Sequence, residues 1–290
     1  MSLDKFFLVS PAEAWKKMQQ EEEEKRRRTE EEERQRRIEE LKARGEKRTA
    51  SPLPPPPASP SPPPLASSTD FHIENLPDRY RMHQVQYNNG VYVVDWSKEL
   101  LDQGVSNVQQ EWIEATQSTK WKIPNLQLYH ATLRALYQHR EHPVKEQKEV
   151  VEELRQVFKA DFTPAKPYMM TSTRIKYTTD DKDIVTHDVG YVTARKLTVS
   201  LVGPNGLINA SSGLEKQMDA LLGSRDVAEI ETVYEWMNDK KPYLYRFTQK
   251  PARDEERAAV LGCDVDGFGI NNFIIDVGPF RGVVALAQKK

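Results

Sequence analysis

Cysteine is almost absent: Cys263 is the only one in 290 residues. That excludes an intrachain disulfide and any metal site built on several thiolates, and it fits a reducing compartment such as the cytoplasm. Long apolar runs are missing as well. The opening "MSLDKFFLVSPAEAW" offers only Phe6, Phe7, Leu8 and Val9 in succession. A signal-peptide core takes about 7–15 apolar residues and a spanning helix about 20, so the sequence predicts a cytoplasmic protein with no membrane span. Charge of one sign is also lacking. The formal net charge is −2, which argues against bulk polyanion binding. No Walker A loop, G-x-G-x-x-G, G-x-S-x-G or Cys/His nucleophile pattern is present, so neither a cofactor nor a motif-borne reaction is expected.

Core-forming residues are scarce up to Asp70, and what stands there instead is regular. Residues 1–10 form a short apolar segment. Ser10-Pro11-Ala12-Glu13 reads as a helix start, with a capping residue, a first-turn proline and a capping-box acid. Residues 11–45 then carry i,i+4 pairs with the acid first: Glu21/Lys25, Glu22/Arg26, Glu23/Arg27, Glu24/Arg28, Glu30/Arg34, Glu32/Arg36, Glu33/Arg37 and Glu40/Arg44. Each such pair supports a helix by about 0.2–0.5 kcal/mol. A coiled coil would need apolar a and d positions, and no apolar residue lies between Met18 and Ile38. A solitary charged helix of roughly 50 Å is the expectation. Residues 46–70 contain "SPLPPPPASPSPPPLASS", a polyproline spacer with PxxP spacing at Pro54/Pro57, Pro57/Pro60 and Pro60/Pro63. A protein partner docking on this linker, or on Phe6–Val9, is the partner class the N-terminal region suggests.

Residues 71–290 read as one α+β domain, with a helical first half and a mostly antiparallel β/α second half. "HQVQYNNGVYVVDW" predicts a hairpin turning at Asn89-Gly90, with Tyr87 opposite Tyr92, Val85 opposite Val94 and His83 opposite Trp96. Short helices are expected at Ser97–Leu101 and around Trp112, and long ones through Leu126–Tyr137 and Val150–Phe158. Strands are expected at Met170–Tyr177, Ile184–Val189 and Lys196–Val202. Ser212 with Glu215 predicts a capped helix ended by Gly223, and Val227 to Met237 the next. "KPARDEERAAVLG" has acids first and Gly262 just past its end, and so predicts a further short helix. "FGINNFIIDVG" and "GVVALA" read as closing strands.

Candidate sites are few. Asp180, Asp181 and Asp183 cluster at a turn where Asp suits the backbone. His187 shares a strand face with Asp183 about 13 Å away. The bland reading is a charged hairpin tip; the sharper one is a hydrolase assembled around His187 with Asp183 or Asp264. Asp264 and Asp266 in "CDVDGFG" lack the third oxygen ligand and final Glu of a calcium loop. His139-x-x-His142 has the wrong spacing for a zinc helix. The helix-turn-helix-like stretch after Leu221 carries Asp226, Glu229, Glu231 and Glu235 against Arg225, an acidic second helix that would repel DNA phosphates. Arg174 and Lys176, with Arg195 and Lys196, offer a basic strand face for nucleic acid. The leading expectation is a non-catalytic interaction or tethering protein.

Overall fold

The computed structural model describes residues 71–101, 109–116, 118–162, 168–180, 182–187, 195–263, 268–273 and 280–287. The charged helix at 11–45, the linker at 46–70, Phe6–Val9, Asp264 and Asp266 lie outside the described residues.

The domain begins with strands. β1 (Ile73–Asn75), β2 (Arg79–Tyr87) and β3 (Gly90–Leu101) form an antiparallel sheet. Its fourth strand comes from far along the chain, β11 (Phe280–Ala287), which pairs antiparallel with β3. The expected helical first half is corrected accordingly. The expected helix at Ser97–Leu101 is the end of β3, held by β11, with Gly282 N donating to Ser97 Oγ at 2.8 Å.

The hairpin exists with a different register. Tyr87 pairs with Gly90 and Val85 with Tyr92, then Met82 with Val94 and Tyr80 with Trp96. The turn is centred on Asn88 and Asn89, at φ 50° and 62°, the positive values a type I′ turn needs and asparagine tolerates. Between Val85 and Met82 a bulge forms at Gln84, with φ 61°. The extra residue switches which side chains face inward: Val85 and Tyr87 on one side of it, Met82 and Tyr80 on the other. A regular strand would have put His83 and Arg81 in the core.

Helices α1 (Gln109–Thr116), α2 (Leu126–Gln138) and α3 (Lys145–Asp161) follow. Asn125 caps α2, its Oδ1 accepting from Leu128 N at 2.8 Å while its amide donates to Tyr87 Oη at 2.9 Å. Helix α2 is buried almost all round, including Gln127, His130 and Thr132. Trp96, Tyr129 and Phe158 join it to β3 and α3, with ring centroids 5.1 to 6.3 Å apart.

The second sheet has the order β6-β5-β4-β9-β10-β8-β7. It comprises β4 (Tyr168–Tyr177), β5 (Asp183–His187), β6 (Arg195–Val199), β7 (Gly206–Leu207), β8 (Pro242–Leu244), β9 (Glu255–Cys263) and β10 (Phe268–Phe273). Every pairing is antiparallel except β8 with β10. Between β7 and β8 lie α4 (Glu215–Leu222) and α5 (Val227–Asn238). Gly223 ends α4 in the left-handed conformation, as its position predicts. The predicted capping box is not made: Ser212 Oγ donates to Asn209 O instead, and Leu214 occupies the cap. Asp226 caps α5 through Glu229 N. The helix expected in "KPARDEERAAVLG" is β9, paired on both sides and buried from Ala258 to Leu261. The described fold is α+β, and none of its helices is long and apolar enough to cross a membrane.

Candidate functional site

Asp183 does not sit at a charged tip. It is 1% exposed, and its carboxylate accepts from Thr178 N at 3.0 Å and Leu201 N at 2.7 Å, tying the start of β5 to the backbone that follows β4 and β6. Asp180 keeps the role expected of a turn aspartate, accepting from Lys182 N and Thr178 Oγ1. That bond to Thr178 holds its carboxyl below the usual range.

His187 is 2% exposed and both ring nitrogens are committed. Leu126 N donates to Thr173 Oγ1 at 2.9 Å, Thr173 Oγ1 donates to His187 Nδ1 at 2.9 Å, and His187 Nε2 donates to Ala220 O at 2.7 Å. This relay ties the first turn of α2 to β4, β5 and the last turn of α4. It satisfies an orphan amide at one helix end and an orphan carbonyl at the other. Burial lowers the His187 pKa to about 4, against the raising effect of the Ala220 carbonyl. The His187–Asp183 pairing of the hydrolase reading is therefore not made: Asp183 is taken up by two backbone amides, and His187 by the Thr173 hydroxyl and the Ala220 carbonyl.

The basic strand face divides. Arg174 and Lys196 both lie opposite Thr186 across β5, whereas Arg195 lies opposite His187 on the other face. Arg174 pairs with Glu256 at 3.5 Å and Lys176 with Asp254 at 2.9 Å, so β9 and the residue before it supply acids to that strip. His139 and His142 hold the start of the domain: the His139 ring stacks on Phe71 at 4.0 Å, and His142 Nε2 donates to Phe71 O at 3.2 Å.

The arrangement with unsatisfied chemistry is a cleft of about 130 Å³ beside the hairpin turn. The turn, Gln86 to Gly90, forms one wall. Gln127, His130, Ala131 and Arg134, one face of α2, form the floor. The end of α4 with Ser224, and Arg195 at the start of β6, close it. Gln127 packs its amide carbon against Gly223, 3.4 Å from where a Cβ would stand there. His130 is 3% and Gln127 5% exposed. Neither His130 nitrogen has a hydrogen-bond partner among the described residues, nor does Gln127 Nε2. Burial, helped by the nearby Arg134 charge, lowers the His130 pKa to about 3, so the ring is neutral, with one N–H donor and one acceptor. Arg134 is paired with Glu229 at 2.9 Å. Arg195 touches Asn88 Oδ1 at 3.5 Å, and among the described residues no carboxylate lines the cleft.

His130 falls in no sequence motif. The usable signal was polar residues at 127, 130 and 134 on a helix otherwise written in apolar letters. Arg195 could be placed only once β6 had a register.

No protein-family model, no characterised protein and no solved structure matches this chain.

Proposed function

We propose that this is a non-catalytic interaction protein whose folded domain holds a carboxylate of a polypeptide partner in the cleft beside the hairpin turn. The observation that carries this reading is that two buried residues lining the cleft, His130 and Gln127, have side-chain nitrogens without a partner among the described residues. Leaving a buried donor or acceptor unsatisfied costs about 1–3 kcal/mol, and a ligand group removes that cost. Arg195, two asparagines and two glutamines supply donors around the same space with no acid among the described lining residues, which favours an anionic group. The room suits one terminal group rather than a whole small molecule, for which sites of about 300–1,000 Å³ are usual. The histidines buried in the core stay neutral through the physiological range and are poor proton carriers there.

Within this reading, Phe6–Val9 is a second docking element for a protein partner, in a reducing compartment. Fluorescence polarisation of the full-length chain with labelled hexapeptide mixtures tests the cleft. Peptides with Glu, Asp or a free carboxyl end are expected to bind, and their Gln, Asn and amidated counterparts to bind at least about tenfold more weakly, as one charge-assisted contact implies. Arg195→Ala should remove the difference. Equal binding of both sets, or of neither, overturns the proposal.

A further inference from the structure

On the outer face of the first sheet three metal-ligating side chains converge. Ile73 and Met82 face inward and pair across β1 and β2. Their neighbours His72, Glu74 and His83 therefore face out, and His83 N donates to His72 O at 3.0 Å to set the two histidines opposite one another. The rings stack with centroids 3.9 Å apart. Glu74 Oε1 lies 2.9 Å from His83 Nε2 and 3.9 Å from His72 Nε2. One ligating atom from each of the three falls within 4.8 Å of the others.

We infer that His72, Glu74 and His83 form a Zn²⁺ site bridging β1 and β2. Two imidazoles and a carboxylate are a zinc donor set that leaves one position for water or a partner's side chain. They suit hard, all-oxygen cations poorly. Bond lengths of about 2.0–2.1 Å put tetrahedral donors about 3.3 Å apart, so the 3.9 Å Glu74–His72 separation must close and the 2.9 Å Glu74–His83 separation open, each by about half an ångström. Their part-exposed positions permit it. The neighbouring cation on this face does not oppose the metal, because Arg81 is held in a two-pronged pair with Asp95, at 2.7 and 3.0 Å.

The bulge at Gln84 is what turns His83 outward while Met82 stays in the core, and bulges re-aim side chains in just this way. Histidine usage points to the same place. Of six histidines in the sequence, His130 and His187 are deep in the core, and His139 and His142 are occupied with Phe71. Only His72 and His83 stand together at the surface beside an acid.

Zn²⁺ titration of the full-length chain tests this, followed by calorimetry and by histidine-ring NMR. One ion should bind per chain, and two of the six histidine spin systems should move. His83→Ala and His72→Ala should each weaken binding at least about tenfold, since even supporting residues of zinc sites cost that much. Glu74→Gln should weaken it in the same direction. The NMR readout uses the unaltered chain and does not depend on any variant folding. No saturable binding, movement of other histidines, or undiminished affinity in both alanine variants overturns the inference.

Discussion

His187 shows how one buried side chain can look like chemistry and act as structure. Its two hydrogen bonds join β5 to β4 and α4, and Thr173 carries the link on to α2. His187→Ala leaves a hydroxyl and a carbonyl stranded in the core. We expect a loss of about 2–4 kcal/mol, read from urea denaturation midpoints at pH 7. The same residue makes stability depend on pH. In the unfolded chain a histidine takes up a proton near pH 6.5; in the fold His187 does so only near 4 and His130 near 3. Between those values the unfolded state holds more protons. Stability is thus fully present above about pH 6.5 and is lost as pH falls toward 4, at up to about 1.4 kcal/mol per pH unit for each histidine. A flat denaturation midpoint between pH 7 and 5 would contradict this. None of it was legible beforehand, because the residues that decide His187's role, Thr173 and Ala220, are remote in sequence or contribute only backbone. Asp183 was misjudged for a related reason: a turn aspartate and a strand-capping aspartate look alike until Leu201 is placed beside it.

Among the elements, the alternating strands and the periodic helices α2, α3 and α5 were readable, since their apolar spacing survives into the core unchanged. β9 was not. Its apolar run, Ala258 to Leu261, is too short to separate a central strand from a helix turn, and the acids before it imitate a helix start. Burial between β4 and β10 decides the outcome. The hairpin register failed through Gln84, because a bulge leaves no mark in the alternation except its phase change. Deleting Gln84 leaves Tyr80, Met82, Val85 and Tyr87 in strict alternation opposite Trp96, Val94, Tyr92 and Gly90, so it should remove the bulge while the domain still folds with Arg81 and His83 outside. Gln84→Gly, which relieves a positive φ, should hold or raise the melting temperature, by up to about 1 kcal/mol of stability. Circular dichroism melts of the two variants distinguish the bulge from a mere irregularity. Gly269 carries another element-level constraint: a Cβ there would run into the Tyr243 carbonyl of β8. Gly269→Ala should break the one parallel pairing and cost more than about 3 kcal/mol, measured the same way.

For the whole molecule, the chain should tolerate loss from one side and not the other. Deleting residues through Ser68 spares every described element and the Phe71 anchor on His139 and His142, so cooperative unfolding of 69–290 should match that of the full chain. Removing β11 instead strips the second edge of β3, the bridge between Lys122 and Val283, and the partner of Ser97. That variant should lose its near-ultraviolet dichroism. A truncated domain that melts early, or a β11-less chain that melts normally, would reverse the assignment of what holds the fold.

The joining of Ser97 to Gly282 spans 185 positions of chain, and it sets a timetable for biosynthesis. While a ribosome is still translating the helices and the second sheet, β3 has emerged with one flank open, a row of amides and carbonyls available to any passing strand. Closure must wait for codons near the 280s. A nascent chain of this protein therefore spends most of its elongation with that flank in need of a chaperone's cover.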